Sequence, residues 1–157
     1  MYTNIMVDRN LSNTKTGLLI WKASNLWQQI LRQSLKKYEL NLNEFLILEA
    51  LLNVKDDSVD ITQIYISRVS GIDVSVVSTV LKLLEKKILI KKKADLDDRK
   101  KIIELTSNAN SLLSTIVPIM NSIENNLFKK LDKEEPNFCN SLRLILGRKI
   151  RVKAVKY

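Results

Sequence analysis

Between Ile61 and Thr106 the apolar residues change their period, and that change leaves few folds open to the chain. A short helix is expected from about Thr62 to Val69. It stops near Gly71, and Asp73 is placed to cap a second helix from Val74 to Lys87. Two helices so closely spaced form a helix-turn-helix. Immediately afterwards Ile88-Leu89-Ile90 and Ile102-Ile103 form β-branched clusters on either side of a polar turn, Asp95 to Arg99. A β-hairpin directly after a helix-turn-helix is a winged-helix arrangement, in which the second helix of the pair enters the major groove of DNA and the hairpin reaches the neighbouring backbone.

The flanking segments read as helices, because only three glycines and two prolines punctuate the chain. Leu19, Ala23, Leu26, Trp27, Ile30, Leu31, Leu35 and Tyr38 fall on one stripe of a first helix. Asn41 with Glu44 has the spacing of a capping box, and Leu40 with Phe45 that of a hydrophobic staple, so a second helix runs from Leu42 to about Asn53. The polar stretch Lys55 to Asp60 follows. After the hairpin, Thr106 caps a long helix carrying Leu112, Leu113, Ile116, Met120, Ile123, Leu127 and Leu131, and Pro118 predicts a kink inside it. Asp132 and Glu135 open a last helix through about Ile150. The expected class is mainly α with a small β-hairpin wing: a winged helix-turn-helix plus a helical dimerisation region. The divisions are 1–40, 41–106 and 107–157, all within one domain.

Charge agrees with a polyanionic partner. The 157 residues carry a formal net charge of +9, and the excess lies in the middle and C-terminal parts. Residues 61–106 hold ten basic and six acidic side chains, whereas residues 1–60 balance at seven of each. The chain has no histidine, one cysteine, no glycine-rich phosphate loop and no metal-ligand cluster, so no enzyme class and no cofactor is indicated. A single Cys139 excludes an intramolecular disulfide, the first residues lack the pattern of a secretory signal, and no apolar run is long enough to span a membrane. The expected location is the cytoplasm. Cys139, beside Phe138, Leu142 and Ile145, is expected on a buried helical face as a small hydrophobe and not as a redox sensor.

Within the second helix of the pair, Val77, Leu81, Leu84 and Ile88 follow the core spacing, which leaves Ser75, Val76, Ser78, Thr79 and Lys82 outward as candidates for base edges. Serine and threonine hydroxyls bond several bases, Val76 suits a thymine methyl, and Lys82 alone offers a strong match to guanine. Lys91, Lys92 and Lys93 form a basic run on the hairpin that is either a DNA contact or a solvated surface. Arg148, Lys149, Arg151, Lys153 and Lys156 form an acid-free C-terminal stretch that is either a phosphate contact or a solvated tail.

Asp98-Arg99-Lys100 followed by Leu105-Thr106, within DDRKKIIELT, resembles the wing of the multiple-antibiotic-resistance repressor (MarR) family in order and spacing. ITQIYISRVSGIDVSVVSTVLKLLEKKILI resembles that family's paired helices, with Gly71 at the turn. The resemblance covers about Thr16 to Lys149. Ile88 and Ala109 stand where the family usually has glycine, and Thr79 where it often has arginine. The resemblance implies that Arg99 enters a minor groove, with Asp98 as the acidic partner that orients it and Lys100 beside it. It implies a homodimer paired through the first helix and the last two, and a small aromatic effector held near Trp21, Trp27 and Tyr65, although plain core packing is the expected role of each ring. The expected function is a sequence-specific duplex-DNA-binding regulator, a repressor on a pseudo-palindromic operator. The alternative is a winged-helix module that binds protein.

Overall fold

The computed structural model describes residues 15–54, 61–94 and 101–149. Among them are six α-helices and one two-stranded antiparallel sheet, in the order α1 (Thr16–Leu35), α2 (Leu42–Leu52), α3 (Gln63–Ser70), α4 (Val74–Lys86), β1 (Ile90–Ala94), β2 (Lys101–Leu105), α5 (Ser107–Phe128) and α6 (Glu135–Ile145). The expected turn Asp95 to Arg99 and the stretch Lys55 to Asp60 lie outside the described residues. Two compact units divide the chain, Met1–Ser114 and Thr115–Tyr157, and α5 runs from the first into the second.

Capping chemistry sets most helix starts. Asn41 Oδ1 accepts from the Glu44 N–H at 2.9 Å while Glu44 Oε2 accepts from the Asn41 N–H at 2.8 Å, so the capping box at the head of α2 is closed. Thr62 caps α3 through Tyr65 N–H, and Thr106 caps α5 through Ala109 N–H, both at 3.2 Å. The Thr106 hydroxyl also donates to the Ile88 carbonyl at 2.8 Å, which ties the start of α5 to the turn after α4.

In the first unit α2 packs against α1, α3, α4 and β2. Leu31 and Leu35 from α1, Phe45, Ile47 and Leu48 from α2, Ile66 from α3, Val77, Leu81 and Leu84 from α4, and Ile90 and Ile103 from the hairpin are all buried. The backbone of Ile61 joins the hairpin, its carbonyl accepting from Ile103 N–H at 3.0 Å. In the second unit Ile116 and Met120 are buried, whereas α6 has no buried residue.

The turn after α4 departs from the sequence expectation. Ile88 has the spacing of the core stripe, but it lies 65% exposed with φ at 58°. Leu89 N–H bonds to the Leu84 carbonyl and Ile88 N–H to the Glu85 carbonyl, the two hydrogen bonds of a Schellman ending, and that ending needs a left-handed residue where Ile88 stands. An L side chain there costs about 1–2 kcal/mol. Glycine would remove that strain but enlarge the freedom of the unfolded chain, which offsets up to about 1 kcal/mol. Ile88→Gly should therefore stabilise the protein by a net ~0.5–1 kcal/mol, read as a higher denaturation midpoint in urea; a lower midpoint would show that the isoleucine makes a contact worth more than the strain.

Other bounds also move. The first helix starts at Thr16 and ends at Leu35, with a 3-10 turn over Lys36–Tyr38. The fifth ends at Phe128, before Leu131, and stays continuous through Pro118. The last begins at Glu135, after an irregular 3-10 segment Lys129–Glu134 in which Asp132 has φ 46° and ψ −120°. It stops at Ile145 and not near Ile150, because Gly147 at φ 65° closes a second Schellman ending, with Arg148 N–H on the Arg143 carbonyl at 2.7 Å. Cys139 is half-buried, and its neighbours Phe138 and Ile145 are exposed, so the expected buried face of α6 is not buried within one chain.

Candidate nucleic-acid interface

The axes of α3 and α4 meet at 111°, inside the range of a DNA-binding helix-turn-helix. Gly71, at φ 72°, ends α3 with its N–H on the Ser67 carbonyl at 2.9 Å, and the left-handed conformation explains the glycine. Three side chains then brace the turn. Ser67 Oγ donates to the Ile72 carbonyl at 2.7 Å, Ser70 Oγ accepts from Ile72 N–H at 3.2 Å, and Gln63 Nε2 donates to the Val74 carbonyl at 3.0 Å. None of the three is legible in the sequence, since polar residues on a short helix carry no sign of a partner beyond the turn.

Asp73 caps α4 as expected. Its Oδ1 accepts from the Ser75 N–H at 2.8 Å and from the Ser75 hydroxyl at 2.6 Å. The Ser75 hydroxyl, then the Ser75 and Val76 N–H groups, hold the Asp73 carboxyl below the usual carboxylate range. Val77, Val80, Leu81 and Leu84 form the buried face of α4, so Val80 takes the place given to Ile88. Ser75, Val76, Thr79 and Lys82 are exposed, and Ser78 is half-buried. The Ser75 proton is spent on Asp73 and the Thr79 proton on the Ser75 carbonyl at 3.2 Å. Both hydroxyls therefore turn lone pairs outward, ready to accept from the exocyclic amine of adenine or cytosine. No carboxylate among the described residues lies within ion-pair distance of Lys82.

The C-terminal end of α4 is anchored by an ion pair that sequence reading did not anticipate. Lys87 Nζ lies 2.9 Å from each oxygen of the buried Glu44 carboxylate and donates to the Glu39 carbonyl at 2.6 Å. The carboxylate that closes the α2 cap thus also fixes α4.

On the hairpin, Ile90 pairs with Leu105, Lys91 with Glu104 and Lys92 with Ile103. Alternation puts Ile90 and Ile103 in the core, carries Lys92 to Glu85 of α4 at 2.6 Å, and leaves Lys91 and Lys93 with Glu104 on the outer face. Lys91 lies 3.0 Å and Lys93 2.9 Å from the Glu104 carboxylate. Those ammonium groups, Lys93 first, hold the Glu104 carboxyl below its usual range. Each lysine of the expected basic run thus has an acidic partner. Asp98, Arg99 and Lys100 lie outside the described residues, as do Arg151, Lys153 and Lys156 of the C-terminal stretch.

The three aromatic rings considered for an effector are not brought together. Trp21 is 65% exposed on α1, which removes the core role expected of it, and Trp27 is half-buried. Tyr65 alone borders a cavity of about 300 Å³ between α2 and α3, lined by Leu46, Val54 and Val69 together with Glu49, Asn53 and Ser70, and Arg68 lies over its ring at 5.5 Å. A wider groove of about 510 Å³ is formed by polar side chains of one helix and its end, from Asn25 to Lys36, and has no opposite wall among the described residues. Among the described residues no cluster of acidic or cysteine side chains could hold a metal ion, and no single helix is long and apolar enough to cross a membrane.

Comparison with known proteins places this geometry. YdcH of Bacillus subtilis strain 168, described as an HTH-type transcriptional regulator, is 27% identical over 135 residues, covering 85% of this chain and 91% of the relative. The S. aureus regulator MepR, solved in complex with DNA, superposes with a TM-score of 0.77 at 25% identity, over 85% of this chain and 98% of MepR. The apo MarR of E. coli shares the fold with a TM-score of 0.65 at 17% identity, over 85% and 97%. Residues 29–116, from the second half of α1 to the middle of α5, match the family model for the transcriptional regulator SarA/Rot, so the chain belongs to the SarA/Rot family of DNA-binding transcriptional regulators, with the winged-helix fold of MarR.

Proposed function

We propose that the chain acts as a homodimer, with each α4 in a major groove of one pseudo-palindromic operator, and represses by occupying a promoter. The observation that carries this reading is the outward face of α4: Ser75, Val76, Thr79 and Lys82 stand exposed on a helix held at 111° to α3. Ser78 sits at its edge. Lys91 and Lys93 on the wing supply phosphate contacts, whereas Lys92 is turned to Glu85, and on the family resemblance Arg99 enters the minor groove with Asp98 and Lys100 beside it.

Dimerisation follows from exposed apolar surface. Leu18, Leu19, Ile20, Trp21 and Leu26 all stand at least 43% exposed on α1, and Leu144, Ile145 and Leu146 at least 64% exposed at the end of α6. Soluble monomers rarely leave such runs open to water, and a second copy covers them. Sedimentation equilibrium of the chain with a bound duplex should return two chains per duplex; one chain per duplex would remove the homodimer from the proposal.

A small aromatic effector fits the same scheme through the cavity at Tyr65, which lies at the lower end of ligand-pocket volumes and mixes apolar walls with Glu49, Asn53 and Ser70. Lys82→Ala tests the reading helix itself. If the ammonium group reads guanine, base preference relaxes by about 1–3 kcal/mol at one position; if it meets phosphate, affinity falls uniformly and the salt slope shrinks by about one. Unchanged affinity and slope would mean that this face of α4 is not in the groove.

A further inference from the structure

Glu104 is the one acidic side chain on the outer face of the described wing strands, and it stands between two cations. It sits opposite Lys91 across the ladder and diagonal to Lys93, with one carboxylate oxygen on each ammonium group, at 3.0 and 2.9 Å. Both lysine side chains are more than half exposed, at 53% and 59%, so a polyanion can reach them. Lys92 differs: its side chain is 24% exposed and its ammonium group is engaged with Glu85 on the opposite face. Two of the three lysines are thus accessible to phosphate, and both are already held by one carboxylate.

We propose that Glu104 acts as a built-in competitor for DNA phosphate, lowering the affinity and the salt dependence that Lys91 and Lys93 would otherwise confer on the wing. This rests on the DNA-binding reading above. A carboxylate oxygen and a phosphate oxygen offer an ammonium group the same kind of charged acceptor. When Lys91 and Lys93 turn to the duplex, Glu104 is left unneutralised beside a polyanion, and the cation that then screens it offsets part of the counterion release that drives binding. The outer face of the described strands therefore delivers the net charge of about one lysine where it carries two, which restrains sequence-independent binding and leaves discrimination to α4.

The test uses the full-length protein and a fluorescently labelled duplex of arbitrary sequence, since phosphate contacts do not depend on an operator. Glu104→Gln should steepen the dependence of log K on log salt by about 0.9, which corresponds to roughly eightfold tighter binding at 0.1 M salt, converging with the parent near 1 M. Glu104→Thr, which keeps a strand-forming residue without the charge, should do the same, and circular dichroism checks that both variants fold. Glu39→Gln, an equal change of net charge outside the wing, should leave the slope unchanged. Combining Glu104→Gln with Lys91→Gln and Lys93→Gln should abolish the gain. Equal slopes for the parent and both Glu104 variants would overturn the proposal, as would an equal gain from Glu39→Gln, which would make the effect one of net charge alone. A parent protein that binds no duplex at any salt concentration would instead overturn the DNA-binding reading, and this inference with it.

Discussion

Charge placed on the exposed face of α1 should convert the protein to a folded monomer and cost most of its affinity for DNA. Leu19 and Trp21 are 52% and 65% exposed. Replacing both by glutamate removes little from the fold of one chain, since surface substitutions are usually worth less than about 0.5 kcal/mol. In the proposed homodimer these positions would be covered, and a buried, unpaired carboxylate costs several kcal/mol. Loss of the partner also removes the second half-site contact, whose advantage by effective concentration is on the order of 100- to 10,000-fold. Sedimentation velocity at micromolar concentration together with duplex titration checks both parts. A variant that stays dimeric with parental affinity would place the dimer contact elsewhere.

The second large effect is expected at Lys87. Its ammonium group is the ion-pair partner of Glu44, which is 1% exposed, and Lys87→Met leaves that carboxylate buried with only the Asn41 N–H on one oxygen. Breaking a fully buried pair costs about 3–5 kcal/mol, but the Lys87 side chain is 38% exposed, and water reaching its place reduces the expected loss to about 2–3 kcal/mol. Lys87 caps α4, so the same change should also loosen the reading helix where the backbone carbonyl of residue 39 and the Glu44 carboxylate hold it. Adding Glu44→Gln to Lys87→Met should recover part of the loss, because the uncompensated charge disappears. Urea denaturation of the three variants decides it: a loss below about 0.5 kcal/mol for Lys87→Met would mean that the pair is not what secures α4.

The features read correctly from sequence are those whose cause is local. The Asn41–Glu44 capping box, the Asp73 and Thr106 caps and the Gly71 turn each involve residues within four positions of one another, and Val77, Leu81 and Leu84 on the core face of α4 follow from helical period. The features missed depend on what the chain meets later. Ile88 fits the apolar period of α4, yet the Schellman ending turns it outward into the left-handed region, and the glycine expected there by resemblance was the sign that periodicity alone could not supply. Gly147 carries the same signal for the end of α6, behind an apolar run that by itself suggests a longer helix. The partners of Lys87, 43 residues away at Glu44, and of Lys91 and Lys93 at Glu104, exist only once helix packing and strand register are set. A basic run read as free charge proves to be paired for that reason. Leu19, Phe138 and Ile145 lie on apolar stripes that sequence assigns to a core, and within one chain they remain open. A stripe shows that burial is wanted, but not whether the same chain supplies the cover.

Selection of bound duplexes from a random DNA pool tests the central claim most directly. A dimer reading two major grooves on one face of the duplex should enrich an inverted repeat whose half-site centres lie about 10 base pairs apart, or a multiple of that spacing. Enrichment of a single unrepeated motif, or of no sequence at all, would contradict the assignment of α4 as the reading helix of a two-fold symmetric regulator.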